Sequence, residues 1–370
     1  MGIRSNGRSE RRPAPREPRA DPRRRDVSAA GPTPDGTAPA PDPWAGLTPS
    51  AAHWAGGVLA DVVPGGTDGV VAVRLLRDGH KRLAVLHRHR ARSLVLKQYT
   101  DDRGAWTGRW LQRLTDAGLA APGGFRVTPA RGWSAIHRTL VTDLAPGAAW
   151  GDWLTATEPN RDAAAVTAAD WLTALQALSV ALPDRTAHRA VANLHHEAGR
   201  LAVTFPEVAS RLQEVAQAAT TRLAETTTCL SVRRLVPSHG DLHPNNLHVM
   251  AGAPWVATAI DVDTAGLRRP SYDVGYALAQ LLVVSWQRTG SFRTGAAAAQ
   301  VFWQRWASTG NDLAAVPAEV TRALVQSLHF ELITYRTGRT ELLARWLDLA
   351  DAVLTLGVES ALEQPARMSR

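Results

Sequence analysis

The sequence predicts an α+β protein of two lobes, a small antiparallel sheet followed by a larger, mostly helical half. Three observations carry that expectation. Residues 70–99 hold three short β-patterned runs joined by turns. Most of the chain after residue 146 sets apolar residues at helical spacing. Between the two halves, Ala145-Pro146-Gly147 interrupts both patterns.

The 370 residues, 45 % of them hydrophobic, suffice for such a body with a sizeable core. The expected division is a disordered Arg/Pro-rich tail over 1–45, an N-terminal lobe over 46–145, and a C-terminal lobe over 146–366. Residues 1–50 carry nine arginines against six acids with no apolar period, which reads as a solvated leader. Nucleic acid is therefore not an expected partner. No apolar run reaches the length of a membrane span, so no membrane partner is expected either. The arginines are followed by Val27-Ser28-Ala29-Ala30-Gly31-Pro32 rather than an apolar segment, and no signal peptide is read. One thiol, Cys229, cannot form an internal disulfide. These features fit a cytoplasmic setting and leave the oligomeric state open.

In the first lobe, Val70 to Leu76, Leu83 to His87 and Leu94 to Tyr99 predict three strands, the first two joined at Asp78-Gly79. Trp106, Trp110, Leu111 and Leu114 recur at helical spacing up to Gly118. Trp133 to Ile136 and Thr139 to Thr142 predict two more strands. The lobe is thus a sheet of about five strands with one helix after the third. In the second lobe, Asp162 to Leu182 predicts a helix with Trp171, Leu175 and Leu178 on one face. Residues 187–226 predict one or two helices interrupted at Pro206. Helices resume after Tyr272, over 318–336 and over 340–360. The exception is 235–263, where the short apolar runs Val249-Met250 and Trp255 to Ile260 flank a polar loop.

That loop is His239-Gly240-Asp241-Leu242-His243-Pro244-Asn245-Asn246, followed by Ile260-Asp261. It offers a carboxylate, a carboxamide and a second carboxylate, all oxygen donors. They suit a hard cation such as Mg²⁺ over a nucleotide phosphate, with one carboxylate free to take a proton. Asp241 is the candidate base, and Asn246 and Asp261 are the candidate metal ligands. Each has a plainer structural reading: a turn-capping acid, a turn asparagine, a strand terminator. Asp263 is a second acid that an extended chain would turn to the same face as Asp261. Lys97 sits within the apolar third strand, where an ammonium needs a partner, and triphosphate oxygens would supply one. It is one of two lysines, with Lys81, among 42 basic residues. Gly65-Gly66 and Asp78-Gly79 are candidate phosphate-covering turns, and Gly79 has the right strand order. His239 and His243 flank Asp241, and with His248 or His195-His196 they form the alternative of a zinc hydrolase. His239 also reads as a loop organiser, and Asp273 as a loop organiser or helix cap.

His239-Gly240-Asp241 through Asn246, then Ile260-Asp261, then Tyr272-Asp273, resembles the aminoglycoside phosphotransferase and choline kinase-like family. The resemblance runs from about Gly69 to the C-terminal helices. It implies a protein-kinase-like fold and ATP- and Mg²⁺-dependent transfer of the γ-phosphate to a hydroxyl of a small molecule. It also implies that Asp241 is catalytic, that Asn246 and Asp261 bind Mg²⁺, and that Lys97 meets the α- and β-phosphates. Residues Val141 to Leu144, including Val141 and Asp143, are implied as the hinge that meets adenine. The family's helix after the lysine strand usually pairs that lysine with a glutamate. This chain has none between Asp101 and Pro122, leaving Asp101, Asp102 and Asp116 as substitutes. A nucleotide-binding regulatory module is accordingly the second expectation. Glu197, Glu207, Glu331 and Asp348 are acids on hand for an amine-bearing acceptor.

Overall fold

A computed structural model describes residues 42–363 except 80, 89–91, 121–123, 186–187, 229–234 and 311–312. The tail reading up to residue 41, and Cys229, lie outside the described residues. Helix α1, Pro49–Val62, opens the first lobe. Thr48 caps it by accepting the Ala51 N–H, and Pro49 fills the first turn, where no amide partner is needed. The lobe starts slightly before residue 46. The Val73 N–H donates to the Pro43 carbonyl, and Trp44 packs on the α1 cluster.

Strands β1 (Val70–Arg77), β2 (Leu83–Arg88) and β3 (Leu94–Gln98) form the expected meander. Helix α2 (Arg103–Asp116) follows, then β4 (Arg126–Val127), β5 (Ala130–Ser134) and β6 (Thr139–Asp143). The main sheet runs β1-β2-β3-β6-β5, antiparallel throughout. Its outer face buries Leu94, Leu96 and Val141 against Trp54, Ala55, Val58 and Leu59 of α1. Trp54 anchors the contact by donating its indole N–H to Thr139 Oγ1 at 3.0 Å. The opposite face looks toward α2, which approaches closely because Gly104 has no side chain. A Cβ there would stand 2.3 Å from the Trp133 ring.

After β7 (Ala148–Ala149) the chain becomes helical: α3 (Glu158–Ala177), α4 (His188–Thr204) and α5 (Ala209–Thr228). Helix α3 begins four residues before the expected start, because Pro159 in its first turn tolerates the missing amide bond. It stops at Ala177, and Leu178 turns extended. The polar loop lies between β8 (Val236–Ser238) and β9 (Leu247–Met250); β10 (Val256–Ala259) and β11 (Gly266–Arg268) follow. Strands β4-β10-β9-β7 form one small sheet and β11-β8 another. Helices α6 (Ser271–Thr289), α7 (Arg293–Ala307), α8 (Val316–His329), α9 (Glu341–Leu356) and α10 (Val358–Glu363) complete the lobe. The run expected over 318–336 ends its α-helix at His329 and closes in one wide turn, Phe330–Thr334. Helix α6 is central: it packs on α7 and α8 and is buried along most of its length. Among the thirteen tryptophans, Trp150, Trp171, Trp306 and Trp346 are fully buried core anchors.

Candidate active site

The loop between β8 and β9 is fixed from below by Asp273. This buried carboxylate in the first turn of α6 accepts the His239 N–H at 2.7 Å and the Gly240 N–H at 2.8 Å. Two charge-assisted bonds in a dry setting leave the loop little freedom. Gly240 has φ +82°, and a Cβ there would lie 2.4 Å from the Thr264 carbonyl and the Arg268 guanidinium. Only glycine fits. His239 uses both ring nitrogens on backbone: Nδ1 accepts the Asp241 N–H at 3.3 Å, so Nε2 carries the proton and donates to the Ile260 carbonyl at 2.9 Å. The imidazole thereby ties the Asp241 loop to the segment carrying Asp261.

Asn246 closes the loop from the other end. Its amide Nδ2 donates to the Asp241 carbonyl at 3.0 Å and to Asp241 Oδ2 at 3.2 Å, leaving the carboxamide oxygen for other work. Tyr276 on α6 also donates to the Asp241 carboxylate, and its burial, followed by that negative neighbour, pushes its phenol pKa up.

Strand β10 ends at Ala259, so Asp261 is not the strand end that its run suggested. It sits at φ +60°, in the left-handed region, a strained setting for a residue with a Cβ. A single 3₁₀ turn, Val262–Thr264, follows. The expectation that Asp261 and Asp263 share one face of an extended strand therefore fails, yet the turn still brings them together. Lys97 Nζ donates to Asp261 Oδ1 at 2.5 Å and to Asp263 Oδ2 at 2.7 Å. The second oxygen of Asp263 accepts the Tyr99 hydroxyl at 2.7 Å and lies 3.1 Å from Thr107 Oγ1 on α2.

The electrostatics follow from this crowding. Burial disfavours the Lys97 charge, but Asp261 and Asp263 outweigh it and raise the ammonium pKa. Burial also opposes the charge on Asp263, but Lys97, Tyr99 and Thr107 hold its carboxyl below the usual range. Asp261 is pushed up, first by burial and then, despite Lys97, by Asp263 and Asp241. Two carboxylates thus meet one ammonium, with the charge of Asp241 beside Asp261.

The donors fit a hard divalent cation. Asn246 and Asp261 offer oxygens beside an excess of negative charge that such an ion would neutralise. Among the described residues no three His, Cys, Asp or Glu side chains form a self-sufficient metal cage. The remaining ligands would be phosphate and water oxygens, as is usual for Mg²⁺.

The zinc alternative finds no footing. His239 is committed to backbone, His243 Nδ1 accepts the Asn245 N–H, and His195 meets Thr220 on α5. The proposed substitutes for the missing glutamate are engaged elsewhere or stand at the start of their own helix. Asp101 binds Arg103, Asp116 binds Gln112, and Asp102 is the N-cap position of α2. Asp263 takes the role from the other lobe. The sequence signal was the Asp-x-Asp spacing, whose geometry depends on a turn.

The two named hinge residues lie on one face of β6. Strand register pairs Lys97 with Leu140 and Val95 with Thr142, so these four share the inner face. Val141, paired with Leu96, faces α1 instead and is fully buried there. Asp143 shares that outer parity and binds Arg131 and Arg92 through its carboxylate. Thr142 shares the inner face with Lys97, and Asp143 also lines a pocket with Leu144, Val127 and Thr128. Gly79 lies exposed in the β1–β2 turn, while the neighbouring Asp78 is drawn toward α1 by Arg82 and Thr48.

The sequence profile of the phosphotransferase enzyme family (APH) matches residues 72–318. The chain belongs to this family. It is therefore a phosphotransferase, and the sheet lobe joined to a helical lobe is the family's protein-kinase-like fold. Solved structures agree on the fold. A macrolide 2'-phosphotransferase type I is 16 % identical, with TM-score 0.52 over 83 % of this chain and 98 % of the other. An aminoglycoside 2'-phosphotransferase-IIIa in its GDP complex is 14 % identical, with TM-score 0.51 over 85 % and 99 %. No curated protein sequence matches the chain. Among the described residues, no helix of this phosphotransferase is long and apolar enough to cross a membrane.

Proposed function

We propose that this phosphotransferase moves the γ-phosphate of ATP to a hydroxyl of a small molecule, with Asp241 as the base. The convergence of Lys97, Asp261 and Asp263, next to the Asp241–Asn246 pair, is the observation that carries the reading. The acceptor oxygen attacks the γ-phosphorus, the bond from that phosphorus to the β-phosphate oxygen breaks, and the hydroxyl proton passes to the Asp241 carboxylate. Asn246 and Tyr276 orient that carboxylate. Asn246 and Asp261 would hold Mg²⁺, which supplies charge neutralisation on the phosphates. Lys97 would meet the α- and β-phosphates, releasing Asp261 while Asp263 keeps the ammonium in place. Most of the rate would come from such positioning and charge complementarity.

The motive for a regulatory module was the absent glutamate, and the Lys97–Asp263 pair favours the catalytic reading over it. The test is Asp241→Ala. Turnover is expected to fall at least ~10³-fold, within the range for a lost general base, while nucleotide still binds by calorimetry. Retention of most activity removes Asp241 from the mechanism. Assaying ATP beside GTP decides the donor, since one structural neighbour was solved with GDP.

A further inference from the structure

Beside the Asp241 loop lies a cavity of about 500 Å³ lined by Asn193, Glu197, Arg268, Tyr272, Arg322 and Gln326, among others. That volume suits a small polar molecule. Two links join it to the base. The Arg268 guanidinium packs against Gly240, the residue before Asp241. Tyr272 is one helical turn from Tyr276, whose hydroxyl binds Asp241. Arg268 and Arg322 both stack on the Tyr272 ring, at 4.6 and 4.4 Å.

The cavity wall carries hydrogen-bonding groups that the protein itself does not use. Arg322 is buried and ion-paired to Glu319, yet its Nη2 has no hydrogen-bond partner. Glu197 is 8 % exposed. Among the described residues no hydrogen bond to its carboxyl is found. The unpaired Arg322 donor is costly inside a protein, and the Glu197 carboxyl is open to the cavity. Around the cavity three arginines, Arg185, Arg268 and Arg322, stand with the acids Asp184 and Glu197, and Glu319 behind the wall pairs with Arg322. A polycation would confront the guanidinium groups with a single acid that lacks a partner. The other candidate acids are elsewhere: Glu207 is exposed, Glu331 binds Gln287, and Asp348 binds Arg211.

We propose that this cavity holds the acceptor, and that the acceptor is a small hydroxylated zwitterion. One ammonium meets Glu197, and one carboxylate or phosphate meets Arg268 and Arg322. The inference rests on Asp241 as the base, since the cavity is called an acceptor site only because it adjoins that residue. Burial pushes the Glu197 carboxyl up to about 7, despite Arg322, so an arriving ammonium also restores a charge that burial opposes.

The test is calorimetry on the full chain with a non-hydrolysable ATP analogue and Mg²⁺. The probes are D-glucosaminate, D-glucosamine 6-phosphate, D-gluconate, D-glucosamine and kanamycin A. At least one of the two zwitterions is expected to bind tenfold or more tightly than D-glucosamine or kanamycin A, and which one binds separates carboxylate from phosphate. Glu197→Gln, an isosteric change, is expected to weaken that zwitterion at least tenfold while moving D-gluconate less than twofold. Arg268→Gln is expected to weaken the zwitterion and D-gluconate alike. Kanamycin A binding as tightly as both zwitterions overturns the proposal, as does a Glu197→Gln variant that binds the zwitterion unchanged. Binding is read without turnover, so the pocket chemistry is tested apart from Asp241, whose role the turnover of Asp241→Ala decides.

Discussion

The two polar clusters of this phosphotransferase differ in their balance of charge. At Lys97 two carboxylates, Asp261 and Asp263, meet one ammonium, and Asp241 adds its charge beside Asp261. In the cavity of Arg322, three guanidinium groups stand among Asp184, Glu197 and Glu319, of which Glu319 is paired to Arg322 and Glu197 accepts no hydrogen bond among the described residues. The first cluster is complementary to a cation, and the second offers both signs. They are joined through a short run of backbone, because Arg268 of the second packs on Gly240 of the first. A transferase that brings a metal-bound triphosphate to a polar acceptor needs such a division. Like charges gathered in one place would repel, and the same residues could not serve both ligands.

The comparison breaks most sharply if the first cluster needs no cation. Chelation by EDTA is expected to abolish turnover, and Mg²⁺, not Zn²⁺, is expected to restore it. Undiminished activity in EDTA would mean that the carboxylate excess has another purpose. Next comes Asp263, the positioning residue for Lys97. Asp263→Asn keeps the shape but halves the negative partners of the ammonium. A loss of ~10–100-fold in kcat/KM is expected, the scale seen for lost outer-shell partners, carried mainly by a raised KM for nucleotide. Asp263→Glu should recover part of it, and Asp116→Ala should change nothing. A merely structural role would lower the melting temperature and leave KM untouched.

A smaller effect sharpens the account of the sheet. Thr142→Met is expected to raise the nucleotide KM several-fold by filling the inner face. Val141→Ala, on the outer face, should cost about 1–3 kcal/mol of stability by opening a cavity and leave that KM unchanged. Reversal of the two results would mean that the strand register is wrong.

The smallest effect concerns the second cluster. Glu197 titrates near 7 in the folded protein, against an ordinary 4.5. The folded state therefore holds this proton more tightly, and stability from this group falls as pH rises from about 4.5 through 7. Its neighbours Arg322, Arg268, Arg185, Asp184 and Tyr272 set the local field. In thermal melts, Glu197→Gln should flatten the decline relative to the parent over that window. Parallel curves would show that Glu197 is an ordinary surface acid.

Much of this was legible in the chain because it depends on local pattern. The meander around Asp78-Gly79 follows from alternation and a turn. The loop from His239 to Asn246 follows from residue types that are poor strand and helix formers gathered in one place. What the pattern left open shares one cause. Val141 and Thr142 are neighbours in the hinge segment, and a strand sends neighbouring side chains to opposite faces. Asp263 was placed by assuming an extended backbone, and Asp261 instead turns left-handed. The partner of Lys97 was sought within the next helix, and it came from 166 residues downstream.

Residue order alone settled the two-lobed plan and the identity of the oxygen donors, since periodicity and functional-group chemistry are properties of short segments. Only tertiary contact decided which acids pair with the lysine, which residues of β6 share its face, and that Glu197 and Arg322 share a hollow. Those are distances between remote parts of the chain, and burial sets their energies.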